Sequence, residues 1–169
     1  MKVLCHPDYD AGLLVTDAKG QVRKLLNELL PDCAGTYSLV KTVFTNLEND
    51  KTNLAVLRDN EQYGTLKGTK LDEFRIPPKG KNGVFRAYCK VFKAEKLKLI
   101  WKDKECIQEL NDIEDVVIIF SAEVKKKFKK GADREKIKIA EKLLNEIKLN
   151  IDKAEKKEKR KWKKKNSFQ

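Results

Sequence analysis

Six apolar residues near the C-terminus, Ile137, Ala140, Leu144, Ile147, Ile151 and Ala154, recur at steps of three and four and then stop. A stripe with that period lines one side of an α-helix and requires an apolar surface to lie against. Beyond it the chain has nothing to bury. From Lys156 to Lys165 there are eight Lys or Arg against one Glu, and Trp162 is the single large apolar residue. The sequence therefore predicts a long basic C-terminal helix, N-capped by Asp133 and docked over its first part. Residues 151–169 form a lysine-rich extension of a domain spanning residues 1–150.

The docking surface has to come from the rest of the chain, which at 169 residues has enough material for one domain. Lys2–His6 reads as a short strand ended by Pro7. From Thr16 or Asp17, the positions Ala18, Val22, Leu25, Leu26, Leu29 and Leu30 carry helical spacing until Pro31. A second helix starts near Thr36 or Ser38, with Leu39, Val40, Val43, Phe44 and Leu47 on one side, and ends around residues 49–53. Residues 54–70 give no clear pattern beyond turns at Gly64 and Gly68. Leu71–Ile76 alternates like a strand, residues 77–83 read as a loop, and Val84–Phe92 reads as the next strand. Leu97–Trp101 is expected to complete an antiparallel meander. After a polar piece at 102–114, the continuous apolar run Val116–Phe120 fits a central strand. The expected class is α+β, with a small antiparallel sheet packed on two N-terminal helices and carrying the long basic helix.

Charge narrows the function classes. The formal net charge is +12, yet residues 1–115 hold 19 Lys or Arg against 18 Asp or Glu, so the excess lies in the last third. Such a block is the electrostatic footprint of a polyanion, since each neutralised phosphate releases condensed counterions. RNA or the ribosome is the expected partner. Four scattered cysteines and one histidine offer no clustered ligands, so no metal or other cofactor is expected, and the thiols read as reduced and structural. No run of 18 apolar residues and no secretory h-region is present, which points to a cytoplasmic protein without a membrane span. With His6 as the one histidine, two-histidine RNA hydrolysis has no residues to use.

Cationic groups do gather around the meander. Arg75 lies on one strand, Arg86, Tyr88 and Lys90 share one face of the next, and Lys79 and Lys81 sit on the loop between them. Phe85, Ala87, Cys89 and Val91 share the opposite face and are expected to meet the helices, leaving the Arg-Tyr-Lys row open. Lys125, Lys126, Lys127, Lys129 and Lys130 bunch after the apolar run.

The element order, together with Lys67-Gly68, Glu73-Phe74-Arg75-Ile76 and Gly80-Lys81-Asn82-Gly83-Val84-Phe85-Arg86-Ala87-Tyr88, resembles the RelE/ParE superfamily of bacterial toxins. The closing strand of that family corresponds to Leu97–Trp101 or, preferred because lysines follow it, Val116–Phe120. The tyrosine that serves several ribosome-dependent members near the C-terminus has no counterpart after Lys130; Phe128 stands nearest. The resemblance implies a metal-independent, toxin-like endoribonuclease that cuts mRNA and inhibits translation, neutralised by an acidic antitoxin. Its site would combine Arg75, Arg86, Tyr88, Lys81 and Lys126 as catalytic groups. Lys79, Lys90, Lys125, Lys127, Lys129 and Lys130 would hold RNA. Arg75 and Arg86 would grip the scissile phosphate, with Tyr88 or Lys81 moving protons if neighbouring charge lowers their pKa values. The fold also hosts gyrase inhibition. The alternatives are a non-catalytic RNA-binding or ribosome-associated module, and an interaction protein whose 137–154 stripe pairs with a partner helix.

Overall fold

A strand apolar at every position, such as Val116–Phe120, is stable only where both of its faces are covered. The computed structural model, which describes residues 1–6, 34–78, 83–125 and 134–167, meets that requirement with a layer on each side of one sheet. The elements in chain order are β1 (Lys2–Cys5), α1 (Ala34–Glu48), α2 (Leu54–Asp59), β2 (Tyr63–Thr65), β3 (Asp72–Ile76) and β4 (Val84–Lys93). They continue with α3 (Ala94–Ile100), α4 (Glu105–Gln108), β5 (Asp115–Lys125) and α5 (Arg134–Asn166). The sheet order is β1-β5-β4-β3-β2. Strands β2 to β5 pair antiparallel, as expected for β3 with β4, while β1 pairs β5 in parallel, Leu4 opposite Ile118, which makes the sheet mixed.

Helix α1 covers one face. Val40, Val43, Phe44 and Leu47, at helical spacing, are buried against Phe74, Phe85, Ala87, Val117 and Ile119. Phe44 meets Phe74 edge to face with 5.1 Å between centroids. Leu39, expected on that side, faces solvent instead. Cys5 and Cys89 are buried in this layer, and burial pushes the Cys5 thiol up to about 12 and raises that of Cys89 as well, so neither behaves as a reactive group. The helix expected over residues 17–30 lies outside the described residues, as do Cys33 and the Asp133 cap.

The other face belongs to α5, α3 and α4. Ala140, Leu143, Leu144, Ile147 and Ile151 pack on Leu71, Tyr88, Ile118 and Phe120, so the C-terminal stripe finds its partner in the sheet itself. Two expectations are corrected here. Leu97–Trp101 is not a third meander strand but ends helix α3: Ala94 and Leu97, one turn apart, are fully buried with Trp101 packed behind them. Residues 94–100 are also mostly strong helix formers, and local propensity favours the helix once the apolar spacing fits it. The Arg86–Tyr88–Lys90 face is likewise not left open, because α5 lies across it and Tyr88 is fully buried.

Helix α5 then outruns the body. Its last buried residue is Ile151; Lys96 of α3 pairs with Glu155, and every described residue from Lys156 to Ser167 is exposed. The helix as a whole spans 33 residues. Docking and projection thus divide it where the apolar stripe ends. Replacing Ile147 by Ala is expected to cost about 2–5 kcal/mol in urea denaturation, the usual range for truncating a buried aliphatic side chain. Lys161→Ala is expected to leave the midpoint unchanged.

Candidate functional site

Strand alternation and one irregularity assemble a polar cluster beneath the start of α5. On β3, Phe74 and Ile76 point to α1, which turns Glu73 and Arg75 to the α5 face. Arg75 lies directly opposite Arg86 on β4, and Glu73 opposite Tyr88. On β5 the register slips between the pairs Tyr88–Ser121 and Cys89–Ile119, so Phe120 is the extra residue of a β-bulge. Val116, Ile118 and Phe120 face α5 before the bulge, and Ala122 and Val124 face α1 after it. The slip thereby turns Ser121, Glu123 and Lys125 onto the face that holds Arg75, Arg86 and Tyr88. Ser121 donates a 2.7 Å hydrogen bond to the carbonyl of Lys136, tying α5 to the strand at this point.

The resulting electrostatics are those of an incompletely neutralised cationic cluster. Glu73 sits 3.7 Å from Arg75 and 3.8 Å from Arg86, ion-pair distances too long for good hydrogen bonds. The Nε atoms of Arg75 and Arg86, Oε2 of Glu73 and the Tyr88 hydroxyl are all buried without a hydrogen-bond partner among the described residues. Lys125 is held below the usual lysine value, first by burial and then by Arg86. The Arg75 side chain is 39% exposed and that of Arg86 only 11%, so an incoming anion meets Arg75 first.

The expected residues separate into three groups. Arg75, Arg86, Tyr88 and Lys125 come together. Lys90 lies further along β4, 3.7 Å from Asp72, and belongs to another part of the surface. Lys79, Lys81, Lys126, Lys127, Lys129 and Lys130 lie outside the described residues. The strand ends that lead to them are adjacent, however, since Ile76 pairs with Phe85 and Val84 with Lys125. Glu73 and Glu123 were not singled out from the sequence. Glu73 was legible, standing two residues before Arg75 on the same strand face; Glu123 was not, because only the bulge brings it there.

Tyr88 departs from its expected role. Burial pushes its phenol upward, Glu123 raises it further, and Arg86 opposes both without reversing them. The hydroxyl stays protonated at neutral pH and cannot act as a base; it is a donor held inside the layer. Among the described residues no group of three His, Cys, Asp or Glu is arranged to hold a metal ion, and no helix is long and apolar enough to cross a membrane.

No protein-family model, no curated protein and no solved structure matches this chain.

Two tyrosines provide a direct check. Tyr63 donates a 2.6 Å hydrogen bond to Asp72, whereas the Tyr88 hydroxyl makes no well-aligned hydrogen bond and only weaker polar contact with Glu123 and Arg86. Tyr63→Phe is expected to cost about 1–3 kcal/mol, because Asp72 loses its buried donor, while Tyr88→Phe is neutral or slightly stabilising in the same denaturant series. Both phenols are raised in the folded state. Their contribution is complete below the ordinary tyrosine value of about 10 and is lost as pH rises above it, so alkaline unfolding should accompany tyrosinate absorbance.

Proposed function

We propose that this protein binds RNA in the cytoplasm through the projecting half of α5, which attracts and holds the phosphate backbone. The observation that carries this reading is the exposed helix beyond Ile151, with eight cations against one Glu between Lys156 and Lys165. A helix polar all round gains nothing from packing, and its charges repel one another along the axis. It persists here as the continuation of a docked helix, with Glu158 and Lys161 paired at 3.7 Å as a small offset. A polyanion removes that repulsion. Trp162, 67% exposed among the lysines, supplies a face on which an unpaired base stacks, which favours single-stranded RNA over a duplex.

A second reading, the toxin-like endoribonuclease, draws support from Arg75 and Arg86 facing each other across β3 and β4 with both Nε atoms unpaired. Two guanidiniums so placed suit the phosphate of an RNA whose 2′-hydroxyl attacks it. Proton transfer would fall to Lys81 or Lys126, since Tyr88 is buried and protonated. On this reading an acidic antitoxin neutralises the cations.

Deleting residues 156–169 is expected to leave the melting temperature unchanged and to weaken binding of a single-stranded RNA. Binding should also lose salt dependence, by about 0.7 in the slope of log K against log salt for each phosphate contact removed. In the full chain, Trp162→Ala alone should weaken RNA binding by about 1–3 kcal/mol, the range for losing a stacked base, with the salt slope unchanged. Unchanged affinity and slope after the deletion would defeat the RNA reading. For the nuclease, incubation with defined RNA and with translating ribosomes is decisive: cleavage lost in Arg86→Ala at equal folded concentration supports it, and intact RNA in both settings ends it.

A further inference from the structure

A cleft of about 510 Å³ opens on the α5 side of the sheet, away from the Arg75–Arg86 cluster. One wall is the turn between β2 and β3, with Gly68, Thr69 and Lys70; the other is the middle of α5, with Glu141, Leu144 and Asn145. The turn is firmly built. Thr69 N–H donates to the Leu66 carbonyl at 3.1 Å, its hydroxyl donates to the same carbonyl at 2.8 Å, and Leu66 N–H reaches Leu71 at 3.0 Å. Gly68 sits at φ +80° with open space where a side chain would stand, which keeps that wall low.

Lys148 follows Leu144 by one helical turn and therefore lies on the same flank of α5. It is half-buried beside Lys70 and Lys90, and burial first, then those two cations, hold its ammonium below the usual lysine value. Lys90 has a counter-charge in Asp72 at 3.7 Å. Lys70 and Lys148 form no ion pair among the described residues. The cleft thus has a cationic end that lacks an anion and an α5 wall bearing a carboxylate and an amide. A simple polyanion would be repelled by Glu141, whereas a ligand with one phosphate and several hydroxyls suits both ends. Leu144, buried beneath the cleft, backs its α5 wall, and the volume lies within the usual range for small-molecule sites.

We propose that this cleft binds a nucleotide unit, its phosphate on Lys70 and Lys148 and its sugar hydroxyls toward Glu141 and Asn145. The unit is either a free mononucleotide or one residue of a bound RNA strand. The site stands independently of the basic arm.

Lysine acylation of the full chain, read residue by residue by mass spectrometry near pH 8, tests the proposal without any variant. Its lowered ammonium makes Lys148 react faster than the lysines at 156–165. AMP should slow acylation of Lys148 and Lys70 at least fivefold and leave the arm lysines unaffected; inorganic phosphate should protect far less. Protection by a single-stranded oligonucleotide but not by AMP supports the site and assigns it to a strand residue. Glu141→Gln should weaken AMP binding several-fold relative to inorganic phosphate in calorimetry, because the sugar loses its carboxylate acceptor while the anion loses a repelling charge. Lys70 and Lys148 that react equally with and without AMP and oligonucleotide would overturn the proposal, and protection by phosphate equal to that by AMP would overturn the nucleotide assignment. If RNA protects the arm lysines alone, the cleft fails and the arm reading survives; if AMP protects the cleft and RNA leaves the arm reactive, the reverse holds.

Discussion

Packing of the α5 stripe against the sheet is the contact on which the remaining architecture depends. Four large side chains, Leu143, Leu144, Ile147 and Ile151, are buried in that layer. At roughly 1.5–3 kcal/mol for each, their burial amounts to roughly 6–12 kcal/mol as an upper estimate. That is as large as the whole net stability of an ordinary domain, about 5–15 kcal/mol. Helix α5 is therefore a layer of the core and not a lid that lifts away. Because it is fixed, its continuation past Ile151 is held in a definite direction as well, and the basic arm projects from a rigid base.

The same contact determines what the strand face can do. Arg86 and Tyr88 lie under α5, and the polar groups gathered there were carried in by strand alternation and by the bulge at Phe120. A buried guanidinium close to Glu73 and a phenol raised by burial are poor tools for contact with a long substrate. Arg75, at the rim, is the more accessible member. Cationic groups are thus spread over three places: the rim, the flank of α5 near Lys148, and the arm. On the proposed reading, the arm would attract phosphate at long range and without regard to sequence, whereas the cleft would position a single unit.

Much of the fold was legible because it rests on short-range periodicity. Strands β1, β3 and β4, helix α1 and the docked part of α5 follow from the spacing of apolar residues within each segment. The run Val116–Phe120 carried a further message, that both faces of β5 are covered, and this already argues against an open face on β4 beside it. Leu97–Trp101 misled because Leu-Lys-Leu-Ile-Trp fits two periods over so few residues. Propensity over residues 94–100 leans to helix, and burial of Ala94 and Leu97 against distant partners selects it over the strand. The short elements α2 and β2 were invisible for a related reason, being only six and three residues of regular structure sustained by their neighbours.

The sequence by itself determined that a basic helix extends beyond its own apolar stripe, since the stripe ends at Ala154 whatever the surroundings, and that arginines stand at 75 and 86 on strands with helical layers nearby. Tertiary structure alone decided which surfaces those groups reach. Pairing register placed Arg75 opposite Arg86, a single extra residue turned Glu123 and Lys125 to join them, and α5 closed over Tyr88 while bringing Lys148 beside Lys70 and Lys90. Side-chain period is local and can be read along one strand or helix, but burial and charge proximity depend on elements separated by tens of residues, and only their packing sets them.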